Sequence, residues 1–314
     1  MSVPESDQDP LLRNVLVPTD FSQYSKKALL FALAVAKYNN AAVSLLHLIL
    51  PERLRLKDKE TDAAWREMRE LEGTLPQSVP HRAFVEQGKI WPVVSGIVKK
   101  CNIDLIVMGT HGRTGLEILL LGSFAETVFR RAKCPVLTVG PESSAPKPIA
   151  ALKNVLFATD FSEEAEAAEP YAFSLAQRRG AVLSLLHVVA PGLLPWGDRA
   201  QVDEPRLTYA RSRLLATASY EASRRLGPEP NLITEVGPVV DTIVNVAVRL
   251  KADLIVLGAS APRTLADRLG ETSAYRVVCA APCPVLTIRE PSPLDYFQRL
   301  FAMMPKRKSP DASR

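Results

Sequence analysis

The same words stand in the same order in both halves of this 314-residue chain. Asn14-Val-Leu-Val-Pro-Thr-Asp-Phe-Ser22 returns as Asn154-Val-Leu-Phe-Ala-Thr-Asp-Phe-Ser162, and Leu45-Leu-His-Leu48 as Leu185-Leu-His-Val188. Asp104-Leu-Ile-Val-Met-Gly109 returns as Asp253-Leu-Ile-Val-Leu-Gly258, and Cys134-Pro-Val-Leu-Thr138 as Cys283-Pro-Val-Leu-Thr287. Asp20 and Asp160 lie 140 residues apart and Gly109 and Gly258 149 apart, so nine residues are inserted between His187 and Gly237. One local length change within a shared order marks duplication of a whole domain, because solenoid repeats are much shorter. The hydrophobic content of 47% suffices for two separate cores.

Within each half, short apolar runs alternate with stretches of helical periodicity. Residues 14–18 form a strand, and Asp20 or Ser22 can cap the helix that follows over 25–38, with Ala28, Leu29, Ala32, Leu33 and Ala36 at helical spacing. Strands at 43–50, 82–86, 103–108 and 135–139 are separated by helices at 57–72, 90–100 and around 126–131. The second half repeats the pattern, with strands near 154–158, 182–189, 232–236, 253–257 and 285–288. This alternation predicts an α/β fold of two tandem, open, mostly parallel five-stranded sheets with helices on both faces, Rossmann-like in organisation. The expected units are residues 11–140 and 152–290, joined by a proline- and serine-rich linker at 141–151. A flexible N-terminus, 1–10, precedes them. Residues 291–314 follow, with an amphipathic helix over 294–304 and a basic tail.

Composition excludes several classes. A net charge of +5, with no basic stripe interleaved by aromatics, reads as a solvated surface rather than a nucleic-acid surface. No apolar run approaches the roughly 18 residues of a membrane span, and residues 1–10 carry no signal-peptide core, so cytoplasmic residence is expected. The four cysteines contain no Cys-x-x-Cys and read as packed thiols. His47, His81, His111 and His187 lack metal spacing, and His47 and His187 read as hydrogen-bonded core histidines. A P-loop, a Gly-x-Gly-x-x-Gly turn and a Gly-x-Ser-x-Gly elbow are all missing from the sequence.

One loop carries chemistry. Gly109-Thr-His-Gly112 is followed by nine residues and then Gly122-Ser123. Gly109 ends a strand, and Gly112 permits a positive φ that turns backbone N–H groups toward one anion. Gly122 lets a phosphate approach closely, and Ser123 opens a helix whose first turn offers free N–H groups and a positive dipole end. Aligned without a gap, the second half has Ala261 for Gly112, Glu271 for Gly122 and Thr272 for Ser123. A carboxylate where a triphosphate should sit is costly, so triphosphate binding is expected in the first half alone. Asp160 reads as a helix cap.

Taken together, Gly109-x-x-Gly112-x9-Gly122-Ser123, the Pro18-Thr19-Asp20-Phe21-Ser22 strand end, the Leu-Leu-His words and the Cys-Pro-Val-Leu closing strands resemble the universal stress protein family, twice over. The resemblance implies an ATP site with Mg or Mn held through the phosphates. Pro18, Thr19 and Asp20 would lie at the adenosine end, and Leu48 would pack on the adenine. Met108, Gly109, His111, Gly112 and Arg113 would line the ribose and phosphates, with Arg113 either compensating charge or standing as an exposed loop arginine. Gly122, Ser123, Phe124 and Ala125 would cradle the β- and γ-phosphates. It further implies a stress-response regulator with protein partners that the sequence does not name, the alternatives being a slow ATPase or phosphotransfer enzyme and a nucleotide-independent scaffold. Family members dimerise through their last strand, so the two halves are expected to pair through 135–139 and 284–288 as an intramolecular pseudo-dimer. A homodimer of such chains is a further expected step.

Overall fold

In the computed structural model, which describes residues 12–51, 57–110, 121–143, 152–191, 204–224, 229–259 and 272–289, the apolar runs are strands. In the first half these are β1 (Asn14–Pro18), β2 (Ala42–Ile49), β3 (His81–Gln87), β4 (Leu105–Gly109) and β5 (Val136–Val139). Between them lie α1 (Gln23–Asn39), α2 (Lys57–Glu72), α3 (Ile90–Lys100) and α4 (Ser123–Arg131). The second half contributes β6 (Asn154–Ala158), β7 (Val182–Val189), β8 (Asn231–Val236), β9 (Leu254–Gly258) and β10 (Val285–Ile288). Its helices are α5 (Glu163–Arg179), α6 (Glu204–Arg224), α7 (Val239–Arg249) and α8 (Ser273–Ala280). Residues 144–151 of the expected linker at 141–151, and the expected helix at 294–304, lie outside the described residues.

Strand order is β3-β2-β1-β4-β5-β10-β9-β6-β7-β8. The two expected five-stranded sheets are therefore the two wings of one ten-stranded sheet. Each wing starts near its middle, runs outward to its third strand, and then jumps back across its first strand to the fourth and fifth. Because parallel crossovers are right-handed, reversing direction moves the connecting helices to the opposite face. Alternate strand residues record this. Val15, Val17, Leu105 and Val107 pack with α1 and α2 residues such as Ala32 and Met68, in a core that also holds Val155, Phe157 and Leu214 of the second half. Leu16, Ile106 and Met108 point the other way, into a core with Val94, Val128, Val246 and Val277. Each core runs through both halves.

All pairings in the sheet are parallel except the join, where β5 meets β10 antiparallel with Val136 opposite Thr287, Leu137 opposite Leu286 and Thr138 opposite Val285. A pseudo-two-fold axis passes through the Leu137–Leu286 pair. It relates two side-chain hydrogen bonds: Thr138 Oγ1 donates to the Val285 carbonyl at 3.1 Å, and Thr287 Oγ1 to the Val136 carbonyl at 3.2 Å. Both threonines are buried, and each such bond contributes about 1 kcal/mol.

Two other recurring words also have structural tasks. Asp104 accepts the N–H groups of Arg13 and Asn14 at 2.8 and 2.9 Å, pinning the start of β1 beside β4. Asp253 does the same for Lys153 and Asn154 at 2.8 and 3.1 Å. The four cysteines are free thiols. Burial pushes Cys134 and Cys283 from the ordinary 9.0 up to about 12, with Asp104 and Asp253 adding to the rise.

A thiol that keeps its proton in the fold but loses it on unfolding stabilises the fold fully below about pH 9, and that contribution disappears as pH rises from there through about 12. Urea denaturation across this window should show an alkaline loss of stability that is shallower in the Cys134→Ala, Cys283→Ala double variant. Equal slopes for the two proteins would remove the thiols as its cause.

Candidate functional site

The strand order reverses between β1 and β4, and in an open parallel sheet the crevice beyond the strand C-termini at such a point is where ligands bind. Val15 pairs with Leu105 and Leu16 with Ile106, which sets Pro18 and Met108 at equal height below this crevice. One wall is the turn from β1 into α1. Thr19 N–H donates to the Leu46 carbonyl at 2.8 Å, and Thr19 Oγ1 accepts from Phe21 N–H at 3.0 Å while meeting Ser25 Oγ at 3.1 Å. Asp20 Oδ1 accepts the Ser22 N–H at 3.1 Å, and Ser22 Oγ caps α1 by accepting from Ser25 N–H. Ser22 is thus the cap, and Asp20 holds the cap in place.

This turn needs Phe21 at φ 64°, a conformation that costs a non-glycine residue about 1–2 kcal/mol. His47 offsets it. Its ring stacks on Phe21 with centroids 4.5 Å apart, and its Nδ1 lies 2.8 Å from the Thr19 carbonyl, a contact that requires the proton on Nδ1. The second half repeats the device with Phe161 at φ 62°, His187 Nδ1 at 2.8 Å from the Thr159 carbonyl, and the same 4.5 Å stacking. There Ser162 is the cap and Asp160 accepts from it, so Asp160 is not itself the cap that its position suggested. Both histidines are structural, as expected.

The other wall is α4. Its first intrahelical bond runs from Glu126 N–H to the Gly122 carbonyl. The N–H groups of Ser123, Phe124 and Ala125 precede that bond and point out of the helix N-terminus. Gly122 is the N-cap residue, at φ −57° and ψ 149°, and contributes no side-chain cap. Its N–H donates to the Thr110 carbonyl at 3.0 Å, while Thr110 N–H donates to Val139 at 3.1 Å. Thr110, buried and unmarked by sequence reasoning, therefore ties the helix start to β4 and β5. The charge of Glu126, in the first turn, is met by Arg130 at 2.8 Å.

The second half closes the equivalent helix end. Thr272, aligned with Ser123, is the N-cap of α8, and its Oγ1 accepts from Tyr275 N–H at 3.2 Å. The first helix end lacks a side-chain cap; the second supplies its own.

Of the residues singled out by sequence, Pro18, Thr19, Asp20 and Gly109 stand at strand ends and the β1–α1 turn, and Gly122, Ser123, Phe124 and Ala125 at the start of α4, where the Ala125 side chain is buried in the core. Leu48 stands near the end of β2, partly buried. Met108 is 2% exposed and packs in the core with Leu16 and Ile106, so only its backbone can reach a ligand. His111, Gly112 and Arg113, with Ala261 and Glu271 of the second half, lie outside the described residues.

Residues 12–140 and again 151–289 match the universal stress protein family. The chain belongs to that family. A universal stress protein of Methanocaldococcus jannaschii is 32% identical over 150 residues, covering 41% of this chain and 82% of its own. Universal stress protein A homolog 1 of Coxiella burnetii is 33% identical over 140 residues, covering 40% of this chain and 95% of its own. Over most of the chain, the fold matches the crystal structure of a universal stress protein from Archaeoglobus fulgidus, with a TM-score of 0.68 and 22% identity, covering 91% of this chain and 99% of that one.

The glycine at the strand end separates architecture from binding. A Cβ on Gly258 would fall on the Glu164–Ala165 peptide at the start of α5, so the second half needs this glycine whether or not it holds a ligand. Gly258→Ala should destabilise the protein by at least the roughly 1–3 kcal/mol of an overpacked core, read as a lowered urea midpoint. An unchanged midpoint would refute the close approach.

Proposed function

We propose that this universal stress protein is a cytosolic regulator that binds one ATP per chain, in the first of two domains spanning 11–140 and 152–290. The observation that carries the reading is the contrast between the two helix ends: Gly122 leaves α4 without a side-chain cap beneath the crevice, whereas Thr272 caps α8. An uncapped helix N-terminus presents donors and positive potential to an anion. Ser123, exposed at this end, adds a hydroxyl.

In the proposed pose, the adenosine lies against Pro18, Thr19, Asp20 and Leu48, and the phosphates meet Gly109, His111, Gly112, Arg113 and the N–H groups of Ser123, Phe124 and Ala125. Gly122 admits the phosphates by having no side chain, since its N–H is committed to Thr110. Mg or Mn would travel with the phosphates; among the described residues no cluster of His, Cys, Asp and Glu could hold a metal by itself. Occupancy of this site would alter contacts with a protein partner.

Calorimetry should give one ATP per chain, and Gly122→Glu should abolish binding. Two equivalent tight sites would overturn the assignment of the second half.

Turnover should be slow. Hydrolysis needs an oriented water and charge stabilisation at the γ-phosphate, and the proposed contacts supply chiefly backbone donors and one hydroxyl. Phosphate release should fall far below the roughly 1–10³ s⁻¹ of ordinary enzymes. Rapid release that is lost in His111→Ala would place the protein among ATPases instead.

A further inference from the structure

We infer that the second half, whose helix after the fourth strand carries its own side-chain cap, positions the start of α4 in the first, and that Tyr275 is the residue through which it does so. The inference rests on the nucleotide reading of the first half. Tyr275 belongs to α8, yet its hydroxyl accepts the backbone N–H of Leu121 at 3.2 Å, across the junction between the halves. Leu121 immediately precedes Gly122 and Ser123. A second bond fixes Gly122 from the other side, through the Thr110 carbonyl. The two consecutive N–H groups before the helix are therefore held by different halves of the molecule.

The contact is built, not incidental. Tyr275 is 3% exposed, so both its hydroxyl and the Leu121 N–H are removed from water and would each lose a partner if the bond were broken. Its ring lies edge-on to Phe129 of α4 at 5.9 Å, and the Arg130 guanidinium sits 5.6 Å from the ring centroid. Arg289, just beyond β10, donates to the Phe129 carbonyl and lies over the Phe129 ring at 5.2 Å. The second half thus grips the segment before α4 and the helix near its C-terminal end.

The grip is also asymmetric. The counterpart of Tyr275, 149 residues earlier, is Glu126, which turns to Arg130 within its own helix. A tyrosine at this place serves the first half's loop, and the duplicated position does not return the service with the same chemistry.

Tyr275→Phe removes the hydroxyl and keeps the ring. In the full chain it should weaken ATP binding about tenfold while leaving adenosine binding unchanged, because the displaced N–H groups face the phosphates and not the base. A purely structural role would lower the melting temperature without changing the ATP-to-adenosine ratio, and an unchanged ratio overturns the inference. Hydrogen exchange on the wild-type chain tests the same coupling without a variant. ATP should slow exchange at Leu121–Ala125 and also in α8, whereas adenosine should leave α8 unaffected. Protection of α4 alone overturns the inference while the nucleotide site stands. A wild-type chain that binds no ATP removes the site itself, and the inference with it.

Discussion

The antiparallel pairing of β5 with β10 is the constraint on which the rest of the molecule depends. Each wing, taken alone, ends in a short apolar strand, with Val136, Leu137 and Val139 on one side and Val285, Leu286 and Ile288 on the other. An unpaired edge of that kind is a template for unwanted association. Joining the two edges satisfies both backbones and lets one apolar layer on each face extend through both halves. The threonine hydroxyls that reach across the join do so reciprocally, so register and symmetry are set by the same residues. The join also brings α8 against α4. Without it Tyr275 could not meet Leu121.

Much of the repeated sequence turns out to serve architecture. Thr19, Asp20, Phe21, Ser22 and His47 form one hydrogen-bonded and stacked unit, and the second half rebuilds it with nearly identical distances. A positive φ at Phe21 and Phe161 is tolerated because the histidine both stacks on the ring and takes the carbonyl two residues back. Such a unit would be retained wherever the β1–α1 turn must hold its shape, with or without ligand. Gly258 belongs to the same category, since it admits the first turn of α5 against the end of β9. Besides the nine-residue insertion, the halves differ at the helix end after the fourth strand.

The sequence carried the order of strands and helices almost in full, because apolar runs bounded by turn residues have few alternative folds. Through the family resemblance it also carried the edge-to-edge join of the fifth strands. It could not say that Ser22, not Asp20, caps α1, because aspartate and serine two residues apart are equally plausible caps and only geometry decides. Nor could it show that the Met108 side chain turns into the core, since the face each β4 residue takes appears only once register is known. Thr110 and Tyr275 escaped altogether. Both act through hydrogen bonds to distant backbone, and Tyr275 acts on a residue 154 positions away, a separation no local pattern reports.

Capping chemistry distinguishes the two helix ends after the fourth strands without disturbing the shared fold. A helix N-terminus must have its first N–H groups satisfied by a side chain, by water or by a ligand. In α8 the Thr272 hydroxyl takes the N–H of Tyr275, one of the groups at that end. In α4 the residue at the cap is Gly122, which has no side chain to offer. The exchange frees α8 for a different task. With Thr272 at its cap, α8 presents Tyr275 across the join to the backbone just before α4.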